Sequence, residues 1–147
     1  MSPPLDLRKC YVEHLRLIEP QAAQELDHFG LTADQVAPVL ERSLAFSGWI
    51  AGECIGAAGI LPKWAGVAQV WCLLSRQAPP YMLAITRAVR AILATHEARR
   101  FECSVVHDFE QGHRWMRLLG FTNETPNGML HADPHGRTLS MYSKVRP

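Results

Sequence analysis

The chain has 147 residues, of which 48% are hydrophobic and 20% charged, and its formal net charge at neutral pH is +1. This length and balance predict one compact domain, residues 1–147, with a substantial core. So small a charge argues against a basic surface for nucleic acid. The 4 cysteines form no Cys-x-x-Cys pair and no window is apolar enough for a membrane span, so we expect a reducing, cytoplasmic location and no membrane partner.

The first half of the chain predicts an extended segment, two helices and a hairpin. Residues 5–10 are expected to be extended, and apolar spacing predicts a helix over residues 11–19. The stretch LTADQVAPVLERSL predicts a second helix, with Thr32 as its N-cap and, because Pro38 lies inside it, a kink or a late start. In SGWIAGECIGAAGIL, two apolar runs flank Gly52-Glu53, which is typical of a β-hairpin.

The second half alternates strands and helices. VAQVWCLLS is apolar on both faces and predicts a central strand. The apolar spacing over residues 81–98 predicts a helix, and Pro80 is well placed to start it. The stretch RRFECSVVH predicts the next strand. DFEQGHRWMRLLGF predicts a helix capped by Asp108 and ended by Gly120, and two further strands are expected within residues 121–145.

This order of elements predicts a mixed α/β protein. Strand-helix-strand connections imply a parallel pair in the middle of the sheet, whereas hairpins imply antiparallel edges. We therefore expect an α+β mixed sheet of about six or seven strands, flanked by about four helices.

The same succession, with HRWMRLLGF following a strand, resembles the GNAT superfamily of N-acetyltransferases over nearly the whole chain. The likeness is to a divergent branch common in tailed phages. There, a stretch like GLTADQVAPVLERSLAFSGWIA leads into the hairpin, and an Arg-Trp-hydrophobic-Arg-x-Leu-Gly-Phe signature closes the last helix. Some phage virion and assembly proteins share that form. The resemblance implies a GNAT-like fold for this chain.

The resemblance also implies a place for acetyl-CoA. In active GNAT enzymes the cofactor lies where the central parallel strands splay apart, and its pyrophosphate binds backbone N–H groups at a glycine-rich corner between strand and helix. Here that corner falls on LLSRQAPPYM, residues 73–82. The implied cofactor-binding residues are Leu73, Leu74, Ser75, Arg76, Gln77, Ala78, Tyr81 and Met82.

The corner departs from the family pattern at its glycines. Counted from Arg76, the glycine positions hold Pro79 and Tyr81; counted from Gln77, they hold Pro80 and Met82. Proline has no N–H to donate, so two potential phosphate contacts are lost. The two prolines fit a simple helix start equally well.

His107 is the predicted general base, because acetyl transfer to an amine requires removal of a proton. It ends a predicted strand beside Asp108, with Glu102 earlier in the same strand. A cap or surface role fits a strand-end histidine too. The position at which the resemblance implies a tyrosine acid holds Met116, whose thioether has no proton to give.

No metal site is predicted. His131, Asp133 and His135 lie in HADPHG, which fits a turn between two strands and lacks a further ligand.

Two functions are consistent with the sequence. The first is an acetyl-CoA-dependent N-acetyltransferase-like protein of phage origin, which acts in the host cytoplasm on an unknown small-molecule or protein amine. The alternative is a catalytically inactive GNAT-fold protein that serves in the virion, in assembly or in host interaction, with phage structural proteins as partners.

Overall fold

The computed structural model describes residues 3–24 and 33–147, and within them seven strands form one mixed sheet in the order β1-β2-β3-β4-β5-β7-β6. The strands are β1 Asp6–Lys9, β2 Leu44–Ile50, β3 Glu53–Trp64, β4 Val67–Leu74, β5 Arg100–Val106, β6 Thr122–Asn123 and β7 Leu139–Val145. The α-helices are α1 Val12–Leu17, α2 Ala33–Arg42, α3 Met82–Thr95 and α4 Glu110–Leu118. The predicted fold class is confirmed.

The chain divides into two compact units. The first unit comprises Met1–Leu61 and Val70–Ala94, and the second comprises Pro62–Gln69 and Thr95–Pro147. The single domain expected from chain length stays a prediction. No helix in the described ranges is long and apolar enough to cross a membrane.

In the first unit, β1, β2 and β3 form an antiparallel ladder. Ile50 pairs with Glu53, so the hairpin turn consists of Ala51 and Gly52. Both have positive φ, 49° and 82°, as a two-residue turn that matches the strand twist requires. The turn therefore lies one residue earlier than the predicted Gly52-Glu53, because Glu53 already belongs to β3.

Apolar side chains fill the core of the first unit. Leu15 of α1 and Leu40 of α2 pack against a buried cluster of strand and loop residues. The cluster consists of Cys10, Ile18, Ala45, Trp49, Cys54, Ala57 and Leu73. Separately, α3 contributes Ile85 and Val89 to the wall of an apolar cavity of about 60 Å³.

The predicted helices of this unit are confirmed, with adjusted ends. Helix α2 contains Pro38, and its predicted N-cap, Thr32, lies outside the described residues. Helix α3 begins at Met82 and not at Pro80, because Pro79–Tyr81 forms a short 3₁₀ turn that leads into it. The two prolines therefore start a helical segment, as the structural interpretation of the pair predicted.

In the second unit, β5 pairs in parallel with Val67–Gln69 and antiparallel with β7. The prediction that Asp108 caps α4 is wrong: the N-cap is Phe109, and it makes no side-chain capping bond. The helix stop at Gly120 is confirmed, since this residue has a φ of 87° and Phe121 N–H donates to Met116 C=O.

Candidate functional site

The predicted cofactor corner joins the end of β4 to the start of α3, inside the first unit. The buried side chains are those of Leu73, Leu74, Ser75 and Ala78. Those of Tyr81 and Met82 are half-buried, and those of Arg76 and Gln77 are exposed. Of these eight residues, only the last two present an exposed side chain.

The backbone N–H groups of the corner already donate hydrogen bonds inside the chain. The donor-acceptor pairs are Ser75 to Ile55 O (2.9 Å), Arg76 to Glu19 O (2.9 Å), Gln77 to Ser75 Oγ (3.0 Å), Ala78 to Ser75 O (3.0 Å) and Tyr81 to Ala78 O (2.8 Å). Pro79 and Pro80 have no N–H. Within residues 75–81, therefore, an anion would find each amide either engaged or absent.

Residues 21–24 bind one edge of β4. The Gln24 side chain donates from Nε2 to Cys72 O (2.8 Å) and accepts from Leu74 N–H (2.9 Å), while Gln21 N–H donates to Leu74 O (3.1 Å). Ser75 N–H donates to Ile55 of β3, and neighbouring residues of a strand point their N–H groups to opposite edges. Leu74 therefore faces the edge turned away from β3, and residues 21–24 occupy it.

Arg76 lies beside the same segment. Its Nε donates to Pro20 O (2.9 Å), and its guanidinium is 4.0 Å from the Glu19 carboxylate. The two charged side chains are 52% and 72% exposed, so their attraction contributes little to stability. A phosphate that approaches Arg76 would replace a weak, solvated ion pair.

His107, the predicted base, belongs to a hydrogen-bonded network in the second unit. Its Nδ1 lies 2.8 Å from Ser140 Oγ, and its backbone C=O lies 2.7 Å from His113 Nε2. The other nitrogen of His113 lies 2.6 Å from the Tyr142 hydroxyl. A carbonyl only accepts, so His113 Nε2 carries a proton, and in the neutral ring Nδ1 accepts from Tyr142.

This network was missed at the sequence level, although one signal was available. Ser140 and Tyr142 are two residues apart on β7 and therefore point to the same face of the sheet. Ser140, Tyr142 and His113 are 0%, 1% and 7% exposed. Buried polar groups need partners, so three such residues near one strand end indicate a network. Met116, in the position implied for a tyrosine acid, is a buried core residue.

Glu102, the second titratable group near His107 in sequence, is engaged elsewhere. Lys63 Nζ donates to one carboxylate oxygen (2.8 Å) and Arg100 Nε to the other (3.0 Å). The hydrogen bond from Lys63 is the main cause that lowers the pKa of Glu102. Arg100 also forms a bidentate pair with Glu124, at 3.0 and 2.7 Å. Glu102 is thus part of an ionic network.

The Glu124–Arg100 pair makes stability depend on acid pH. Hydrogen bonding from Arg100 lowers the pKa of Glu124 to about 2, so the pair stabilises the fold above the ordinary glutamate range and loses that effect as pH falls towards 2. Because Glu124 is 41% exposed, we expect Glu124→Gln to cost only about 0.5 to 1 kcal/mol at neutral pH. Urea unfolding between pH 7 and 2 should show that the difference in unfolding free energy between the wild type and Glu124→Gln vanishes in acid. The exposed Glu97→Gln is the charge-matched control, and an equal, pH-dependent loss in both variants would contradict the prediction.

The HADPHG segment forms a loop with its own bonds. Asp133 accepts from the backbone N–H groups of His135 (2.9 Å) and Arg137 (2.8 Å). Its other carboxylate oxygen pairs with Arg137 Nε at 2.5 Å. Across the ranges that the structure covers, no group of three or more His, Cys, Asp or Glu residues is arranged to hold a metal ion.

Along the chain, β4 is followed by α3, and the parallel strand β5 is followed by α4. An acetyltransferase of the GNAT family from Bacillus anthracis matches 99% of this chain over 96% of its own, with a TM-score of 0.70 and 11% identity. A GCN5-related N-acetyltransferase from Kribbella flavida matches 97% of this chain over 98% of its own, with a TM-score of 0.70 and 17% identity. A Bacillus subtilis acetyltransferase in complex with CoA matches 99% over 100%, with a TM-score of 0.69 and 10% identity. This chain therefore has the GNAT acetyltransferase fold.

The sequence itself gives no such match. No protein-family model and no curated protein matches it. The GNAT-like fold was predicted from the resemblance in the order of the elements and in HRWMRLLGF, and it is confirmed by the structural likeness.

Proposed function

We propose that this chain is an acetyl-CoA-dependent N-acetyltransferase that transfers an acetyl group to an amine. The observation that carries the proposal is the fold, which matches acetyltransferases over at least 97% of the chain, one of them in complex with CoA. The acceptor is a small-molecule or protein amine. Phage origin and action in the host cytoplasm belong to the proposal through the sequence resemblance.

The corner residues fit a phosphate-bearing cofactor in one specific way. The backbone amides are engaged, so we assign pyrophosphate recognition to the exposed side chains of Arg76 and Gln77. A guanidinium forms charge-assisted hydrogen bonds with phosphate, each worth about 1.5 to 3 kcal/mol. The remaining predicted residues shape the corner. They are Leu73, Leu74, Ser75, Ala78, Tyr81 and Met82.

His107 is assigned the proton transfer. Acetyl-CoA, when bound, supplies the acetyl group as a thioester. The amine must lose a proton as its nitrogen bonds to the acetyl carbon, and His107 Nε2 accepts it, because Nδ1 is engaged with Ser140. Met116 has no proton to give, so the departing thiolate takes its proton from water, and His107 returns the amine proton to the solvent.

A catalytically inactive GNAT-fold protein is the second candidate, and the hydrogen bonds of the corner favour it. The N–H groups of residues 75–78 donate inside the chain, and Gln21 and Gln24 occupy the edge of β4 that is turned away from β3. A protein with this corner would act through a surface in the virion, in assembly or in host interaction, with phage structural proteins as partners.

Calorimetric titration with acetyl-CoA and with CoA separates the two candidates. At low salt, where a phosphate site is least screened, we expect a micromolar dissociation constant. This corresponds to a binding free energy of about −8 kcal/mol. The Arg76→Ala/Gln77→Ala double variant should bind about ten- to a hundredfold more weakly, because it loses charge-assisted hydrogen bonds.

Arg99→Ala is the control for charge, since it removes an exposed arginine of the second unit and should keep wild-type affinity. If the wild-type protein shows neither heat nor thermal stabilisation at millimolar ligand, the acetyltransferase proposal fails and the second candidate is favoured. Equal affinity of the double variant and the wild type would exclude this corner as the binding site.

A further inference from the structure

His113 binds the main chain of His107 through one of its ring nitrogens. Its Nε2 lies 2.7 Å from the His107 carbonyl oxygen, and its Nδ1 lies 2.6 Å from the Tyr142 hydroxyl. A carbonyl oxygen can only accept, so Nε2 carries the proton of the neutral ring and Nδ1 accepts from Tyr142. Tyr142 is only 1% exposed, and a doubly protonated His113 would leave its O–H without an acceptor among the described residues. The partners therefore fix the direction of both hydrogen bonds.

The carbonyl that His113 holds lies in the turn between β5 and α4. Phe109 N–H donates to Val106 O (3.0 Å), which closes a β-turn with His107 and Asp108 in the middle. The carbonyl of the second turn residue takes no part in that bond, and its peptide can be oriented in two ways, as type I and type II turns show. The bond from His113 Nε2 stabilises the orientation in which the His107 carbonyl points towards α4.

His113 also contacts the ring of His107. The two imidazole rings pack edge to face, with centroids 6.2 Å apart and planes at 89°. Elsewhere the residue is held by Thr138 O, which accepts from its N–H (2.9 Å), and by Gly128, where a Cβ would lie 3.0 Å from Nδ1 and 3.2 Å from Cε1. His113 is thus the residue that contacts both the carbonyl and the ring of His107.

We propose that His113 is a positioning residue for His107. Its Nε2–H holds the His107 carbonyl, its ring packs against the His107 ring, and Tyr142 keeps it in the required tautomer. The use of His107 as a base rests on the proposed acetyltransferase function, whereas the hydrogen bonds among these three residues do not. At 7% exposure, His113 acts through His107 and not on the substrate.

Long-range ¹H–¹⁵N spectra of the histidine rings test the hydrogen bonds without any substrate. At neutral pH we expect His113 as the Nε2–H tautomer. In Tyr142→Phe the Nδ1 signal of His113 should move, because this nitrogen loses its hydrogen-bond donor. A wild-type His113 protonated on Nδ1 or on both nitrogens, or an unchanged Nδ1 signal in Tyr142→Phe, would overturn the proposal.

Nuclear Overhauser contacts report the position of the His107 ring. In the wild-type protein we expect contacts between the Cε1 proton of His107 and the α-protons of Gly128, because these groups pack together. The contacts should weaken in His113→Leu, which has no donor for the carbonyl, and persist in His113→Gln, whose amide can both donate and accept. Unchanged contacts in a folded His113→Leu protein would overturn the positioning role. Should His113→Leu fail to fold, Tyr142→Phe is judged by the same contacts and is expected to weaken them.

Kinetics add the functional readout. His113→Leu should lower kcat by about ten- to a hundredfold with little change in KM, because the base is misplaced but the ligand contacts remain. His113→Gln should restore part of the rate.

Phe101→Leu is the control for lost stability in the same unit. Phe101 is fully buried at the other end of β5, where its ring contacts His96 and Arg146. The smaller side chain leaves a cavity and lowers stability, but kcat should stay at the wild-type value. If the wild-type protein transfers no acetyl group, the proposed function fails, whereas the spectra and contacts still decide the positioning role. A full rate in folded His113→Leu, or an equal loss of rate in Phe101→Leu, would overturn that role.

Discussion

His107→Ala is expected to lower kcat for acetyl transfer by about 10²- to 10⁴-fold, because a positioned general base contributes that much to proton transfer. The affinity for acetyl-CoA should stay within about twofold of wild type, since the proposed cofactor contacts belong to Arg76 and Gln77. Release of free thiol from acetyl-CoA, measured against a panel of primary amines, gives kcat, and calorimetry gives the affinity.

His135→Ala is the control for this measurement. His135 is an exposed histidine of the second unit, in the loop closed by Asp133, and its loss should leave kcat unchanged. Thermal unfolding of both variants shows whether a lost rate reflects lost structure. A folded His107→Ala protein with wild-type kcat would exclude His107 from the mechanism. A cap or surface role at the strand end would then explain this histidine.

The fold was predictable because its signals are local. The run Val67–Leu74 is apolar on both faces, and the apolar residues of Met82–Thr95 recur with helical spacing, so each element is specified by its own residues. The order of such elements limits the possible topologies to a few. Errors occurred at element ends: Asp108 lies one residue before the true N-cap, Phe109.

The state of the corner could not be predicted, because it depends on residues far away in the sequence. The loss of N–H donors at Pro79 and Pro80 is visible in the letters. However, the partners of the remaining amides come from elsewhere: Glu19 accepts from Arg76, and the Gln24 side chain bonds to β4 residues 48 and 50 positions away. Pairings over such separations are set by tertiary structure.

The surroundings of His107 show the same limit. The sequence indicates a histidine at a strand end, and alternation along β7 indicates that Ser140 and Tyr142 share a face. Which ring nitrogen is bonded, and to which hydroxyl, follows only from the antiparallel register in which Val106 pairs with Leu139. The position of His107 at a strand end is therefore predictable from the strand pattern, whereas the hydrogen bonds of its ring depend on the register between β5 and β7.

Gly59→Ala is expected to lower the free energy of unfolding by about 1 to 3 kcal/mol, the usual cost of overpacking a filled site. A Cβ on Gly59 would lie 2.5 Å from atoms of the Trp71 indole, closer than real Cβ atoms come to a neighbour. The indole cannot move away freely, because its N–H donates to Ser43 Oγ (3.2 Å) and its ring packs on the core of the first unit. Urea unfolding followed by tryptophan fluorescence measures the loss.

Gly48→Ala is the matched control on the neighbouring strand. A Cβ there would lie 3.1 Å from the flexible end of the Leu5 side chain and 4.0 Å from Gly56 O, so the change in stability should stay below about 1 kcal/mol in either direction. The clash itself is tested in a Trp71→Phe background, where the smaller ring leaves room for the new methyl group. There, Gly59→Ala should cost at least about 1 kcal/mol less than in the wild-type background. An equal cost in both backgrounds would show that Trp71 is not the reason β3 requires glycine at this position.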